Sequence, residues 1–173
     1  HSFPTRRSSD LPLGLLIVLV AIQFIKPARN LSGNTDKDIS TIYPMSDSVK
    51  QIVTKACADC HSNKTVYPWY ASIQPLAFWL DHHVDEGKHE INFNEFASYR
   101  IGKQNHKLKE VIEQVKEGEM PLSSYSLIHK DAVLTAAEKE TLINWCQNIM
   151  DTIKAKYPAD SLTLKRPQQP ATK

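Results

Sequence analysis

Charge of one sign, glycine and cysteine are all in short supply in this chain. Lysine and arginine number 21 against 19 aspartates and glutamates, a formal net charge of +2. That balance gives no electrostatic footing for nucleic acid or acidic lipid as a partner. Glycine occurs 5 times and apolar residues make up 41% of the 173 residues, which suits a compact helical domain. No convincing strand pair and no internal repeat is visible, which removes the βαβ setting that a thioredoxin-like thiol pair requires. Cysteine occurs 3 times, at Cys57, Cys60 and Cys146. Cys146 falls on an apolar helix stripe and reads as a buried small hydrophobe, not as a reactive thiol.

The other two cysteines stand in Cys57-Ala58-Asp59-Cys60-His61, a CxxCH run and the attachment pattern of a c-type haem. Thiols three positions apart at a helix end point towards one edge of a flat ligand, where each can form a thioether to a vinyl group. The adjacent imidazole can then ligate the iron from one face. With no second CxxCH in the chain, a single covalent haem c is the expectation. A structural zinc site would need two further ligands, yet Cys146 and His129 are isolated, and His82 and His83 point to opposite helix faces. A plain disulfide is open to an exported chain. The haem reading accounts for more: the histidine, the amphipathic helix that ends at the motif, and the apolar segment upstream. Haem attachment to CxxCH takes place on the exported side of the membrane.

Residues 1–11 resemble the in-frame translation of a DNA sequencing adapter and are set apart from the fold as a tag would be. The native start is then expected to be missing. Residues 11–25, LPLGLLIVLVAIQFI, are almost wholly apolar, with Gln23 the one strongly polar side chain. They read as an uncleaved membrane anchor or signal segment, leaving the domain in the periplasm or its equivalent. Residues 26–45 read as a polar linker, 46–157 as the domain and 158–173 as a disordered tail.

Within the domain, a first helix is expected from Ser46 to Cys60, capped by Ser46 or Ser48, with Val49, Val53, Ala56 and Cys60 on its apolar stripe. An irregular stretch over 62–74 holds Tyr67, Trp69 and Tyr70, which would lie either on a haem or in ordinary core. The chain at Pro68 offers a carbonyl for the Nδ1–H of His61. A helix from Pro75 to Gly87 would turn Leu76, Trp79, Leu80, His83 and Val84 inwards and His82 outwards. A third helix over 103–118 carries Leu108, Val111, Ile112 and Val115. The last opens at a Thr135–Glu138 capping box, carries Leu142, Cys146, Ile149 and Ile153 with Trp145 alongside, and ends before Pro158.

Met120 precedes a proline in the loop after the third helix, where small cytochromes c present a thioether sulfur to the distal face. It lies on no core stripe, so the usual packing explanation for a methionine does not cover it. His83 is the first alternative as sixth ligand, and His129 a further one. Met/His ligation raises a haem's reduction potential and suits electron transfer, whereas an open sixth position suits gas or peroxide chemistry.

Three runs, CADCHSNKTVYPWY, IQPLAFWLDHHVDEGKHEINFNEF and GEMPLSSYSLIHKDAVLTAAEKETLINW, resemble the haem-binding domain family of small membrane-anchored, single-haem c-type proteins. The resemblance covers Ser46 to Trp145. It implies a cytochrome-c-like helical fold and covalent haem at Cys57, Cys60 and His61, with His83 and Met120 near the pocket. Leu122 departs from the family, which often has a second proline after Met-Pro.

These readings lead to an all-α, cytochrome-c-like bundle with an N-terminal anchor helix. Its expected role is single-electron transfer at the outer face of the cytoplasmic membrane, with His61 and Met120 on the iron and Tyr67, Trp69, Trp79 and Trp145 excluding water. The alternative is a haem-based sensor or ligand-binding module with a displaceable sixth ligand. A peroxidase would need a distal acid-base group, for which His83 is the one candidate. The redox partner proteins carry no signature in the sequence.

Overall fold

A computed structural model describes residues 10–164, and every regular element among them is helical. The first helix, α1 (Asp10–Ala21), is apolar on all sides from Leu13 onwards and runs into a 3-10 turn at Ile22–Phe24. Its 12 residues rise about 18 Å against a bilayer core of about 30 Å. No helix among the described residues is long and apolar enough to cross a membrane. The segment expected as an anchor or signal, 11–25, forms α1 and the 3-10 turn that follows it. The run ends early because Gln23 turns back to the domain: its Oε1 accepts from the Gln74 amide at 2.9 Å and its Nε2 donates to the Gln74 carbonyl at 3.2 Å.

The stretch expected as a linker is part of the domain. Ile39 is fully buried in the core. The Asn30 amide side chain donates to the Ser62 carbonyl and Thr65 Oγ1, and the Gly33 amide donates to the Asn63 carbonyl. Polar composition alone suggested a tether. These asparagines and serines instead find buried backbone groups to satisfy.

Ser46 caps α2 (Asp47–Ala56) by accepting from the Val49 amide. The amphipathic stripe Val49, Ile52, Val53 and Ala56 faces the core. The expected continuous helix to Cys60 is broken at Cys57, whose φ of −127° leaves the helical region. A four-residue turn, α3 (Ala58–His61), follows on a new axis. After the irregular stretch come α4 (Leu76–Glu90), a 3-10 segment at Phe93–Ser98, α5 (Ile101–Glu117), α6 (Ser123–Ile128) and α7 (Ala136–Lys156). Gly87, read in the sequence as a helix stop, lies inside α4, which continues to Glu90. The capping box at Thr135 and Glu138 is present in full, and α7 ends at Lys156, just before Tyr157 and Pro158.

Two apolar clusters result. The larger joins α2, α5 and α7 with Phe93, Phe96, Ile91 and Leu134. Each such side chain, once buried, contributes about 1.5–3 kcal/mol. The smaller consists of Ala71, Leu80 and Val84, with Tyr67 and Cys60 packed against it. The tail begins later than expected: Ala159–Leu162 form a 3-10 turn, and Leu162 packs on the larger cluster. The remainder of that predicted tail, from 165, and positions 1–9 of the leader lie outside the described residues.

Candidate haem site

The CxxCH turn sits on the seam between the two clusters. Cys57 packs against the larger and Cys60 against the smaller. The break after α2 produces this split, because it redirects the chain between the two thiols. The amides of Cys60 and His61 both close on the Cys57 carbonyl, at 3.2 and 2.9 Å. Gly87 lets α4 press on the turn from the other side. A Cβ there would lie 2.6 Å from the Cys60 carbonyl oxygen.

His61 is held by two backbone carbonyls. Its Nδ1 lies 2.8 Å from the Gly87 oxygen and 3.0 Å from that of Ile91. Both carbonyls belong to the C-terminal turn of α4 and its cap. Two acceptors on Nδ1 fix the proton there, which leaves the lone pair on Nε2. Burial pushes the imidazole pKa down, opposed by the carbonyl hydrogen bonds, so the ring is neutral and able to donate to a metal. The carbonyl expected from Pro68 is not the partner; that oxygen accepts from the Ala71 amide at 3.0 Å.

Two adjoining cavities open beside the motif. One, of about 770 Å³, is lined by Cys57, Cys60, His61, His83, Met120 and Tyr125 among others. Its neighbour, of about 460 Å³, shares Cys57, His61 and Met120 and adds Phe93 and Lys107. Both fall in the range of sites that take large organic cofactors. Met120 reaches them because Gly118, at φ 79°, ends α5 in a left-handed turn. The amides of Gly118, Glu119 and Met120 all converge on the Gln114 carbonyl.

Both motif thiols are protonated. Burial and then the other cysteine push Cys57 up to about 12; burial and then Asp59 push Cys60 up to about 11. All three cysteines are free, so the disulfide reading does not describe this fold. Cys146 is fully buried in the larger cluster, as its stripe implied.

The structure thus brings Cys57, Cys60, His61, His83 and Met120 to one cavity. The expected aromatic wall is not there. Trp69 is 80% exposed and Trp79 is 42% exposed, edge-on to His83. Tyr67 packs behind Cys60 and accepts from the Asn30 amide. Trp145 lies in the larger cluster and donates from Nε1 to the Pro44 carbonyl. Spacing puts aromatics near the motif in sequence, but the turn after His61 leads them round its back. Tyr125 was missed. It lines the larger cavity, donates to Asp59 Oδ2 at 2.7 Å and stacks on His129. No periodicity marks the short α6, and only the aspartate inside the motif hinted at a partner.

A family model described as a haem-binding domain matches residues 17–148, and the chain belongs to that family. No curated protein and no solved structure matches it. The site passes a chemical test for such a group. A half-buried neutral imidazole with its Nδ1 proton already engaged, a thioether and two thiols border one cavity of suitable size. The protein is a haem-binding protein.

Proposed function

We propose that the chain carries one haem c and acts as a single-electron carrier with a cytochrome-c-like fold. Cys57 and Cys60 hold the macrocycle through thioethers, His61 supplies the proximal nitrogen and Met120 the distal sulfur. Bound there, haem supplies a one-electron iron couple, which Met/His ligation sets high. The observation that carries this reading is the orientation of His61 by two carbonyls on the wall that also holds both cysteines and Met120. A histidine tied in this way keeps its tautomer and ring angle, as metal-binding histidines do. The low dielectric around the thiols also keeps them protonated and protected until they react. CxxCH attachment proceeds on the exported side, so we assign the domain to the outer face of the cytoplasmic membrane. Its redox partners are other proteins of that compartment.

A second reading, a haem-based sensor or ligand-binding module, rests on His83. It lines the same cavity as Met120, so the sulfur has a competitor within the site.

The test is mass spectrometry of protein made with a haem-attachment system. The expected result is a gain of one haem mass that survives acid-acetone extraction and is lost when Cys57 and Cys60 are both alanine. Haem that is extracted from the unaltered protein would refute covalent attachment.

A further inference from the structure

Gln23 and Gln74 fasten the root of α1 to the start of α4. Besides the paired bonds between them, Gln74 Nε2 donates to the Ile25 carbonyl at 2.7 Å. Around this clasp the surface is apolar in one sweep. Phe24 and Ile25 lie exposed on one side, and Ile73, Leu76, Phe78 and Trp79 on the other. In the first turn of α4 only Ala77 is buried, so every outward side chain there is apolar. A helix start that faces water carries polar groups at such positions, and contiguous exposed apolar surface of this kind marks an interaction face.

Continuity with α1 identifies the occupant. From Leu13 to Val20 the helix exposes large apolar side chains around its whole circumference, Gly14 aside. A protein groove covers one side of a helix; a medium that is apolar in every direction covers all of them. The rim has matching chemistry. Arg29 and Lys26 are exposed beside the patch, Arg29 donates to Ser72 Oγ at 2.9 Å, and Trp69 projects into solvent. Cationic and indole side chains at such a border are those favoured at a membrane–water interface.

We infer that this face of the domain rests on a lipid bilayer, with α1 inserted in it and Ile73, Leu76, Phe78 and Trp79 touching the interface. The cavity-lining residues of α4 belong to its other half, from His83 onwards. Gly87 lies about 16 Å along the axis from Leu76, and the lipid-facing turn meets the cavity rim only where Trp79 packs edge-on to His83. The inference does not depend on which group fills the cavity.

The test uses the full chain with phosphatidylcholine vesicles whose acyl chains carry a diazirine, followed by irradiation and peptide mapping. Adducts are expected on 73–79 as well as on α1. The combined variant Leu76→Ser, Phe78→Ser, Trp79→Ser alters exposed positions only and should keep the native helical circular dichroism. Its vesicle affinity should fall at least about tenfold, given the apolar area removed. Adducts confined to α1, together with unchanged affinity of the triple variant, would overturn the inference. So would a stable dimer in lipid-free buffer that protects 73–79, because a second copy would then be the occupant.

Discussion

Gly87 serves Cys60 and His61 at once: its missing Cβ admits the Cys60 carbonyl, and its own carbonyl takes the His61 Nδ1 proton at 2.8 Å. The substitution Gly87→Ala inserts a methyl 2.6 Å from backbone that cannot move aside. We expect a loss of about 1–3 kcal/mol, the range for overpacking, and reduced haem incorporation. Thermal unfolding and the haem-to-protein ratio measure the two. A variant with native stability and full haem content would show that α4 and the CxxCH turn are not in close contact.

Met120 and His83 border the same cavity, and a pair of variants separates their roles. Met120→Ala should remove the weak near-infrared band of Met–Fe(III) haem and make the reduced protein bind carbon monoxide avidly. His83→Ala should leave both properties as they are. Absence of that band from the unaltered protein, with avid carbon monoxide binding gained in His83→Ala and not in Met120→Ala, would make His83 the distal ligand.

Tyr125 ties α6 to the motif through Asp59, whose other oxygen accepts from the Val66 amide at 2.9 Å. Burial and then the hydrogen bond to Asp59 hold the phenol pKa up. Tyr125→Phe keeps the ring stacked on His129 and removes only the bond. The expected cost is about 1–2 kcal/mol, within the range for a hydrogen bond to a charged group that is partly exposed. Hydrogen exchange over 123–128 should rise with it, and unchanged exchange would show that the stack alone holds α6.

Asn63 joins three separated segments. Its side chain donates to the Asn34 carbonyl and Glu95 Oε1 and accepts from Asn92 Nδ2, all between 2.7 and 2.9 Å. Asn63→Ala removes these bonds and strands the buried Asn92 side chain, at an expected cost of about 2–3 kcal/mol. The change should lower the urea midpoint. It should also make residues 30–38 the first to open to proteolysis.

Lys55 and Thr135 hold the Glu138 carboxyl well below its ordinary 4.5, at about 2. A depressed acid contributes its stabilisation fully above the unfolded value and loses it as pH falls towards the folded one. The stability gap between the native chain and Glu138→Gln should therefore be constant above about pH 5 and close as pH falls from 4.5 towards about 2. Thr135→Ala should cost about 1 kcal/mol at neutral pH through loss of the N-cap. Acid titrations of unfolding free energy for the three proteins check both statements.

Sequence alone determined the features that depend on neighbours along the chain. The Ser46 cap, the Thr135–Glu138 box and the stripes of α5 and α7 are local patterns with a fixed period, and each appears where its residues indicate. CxxCH was legible for the same reason, since its chemistry lies within five consecutive positions. Tertiary structure decided what depends on chain direction in space. The break at Cys57 sent the two thiols to different clusters and carried Trp69 away from the cavity. No period encodes a single residue leaving the helical region. The carbonyls that orient His61 come from residues 26 and 30 positions away. Backbone acceptors have no side-chain signature, so only the folded chain could reveal them. Polar residues between 30 and 45 read as a tether because composition does not say whether an asparagine meets water or a buried carbonyl, and here packing chose the carbonyl.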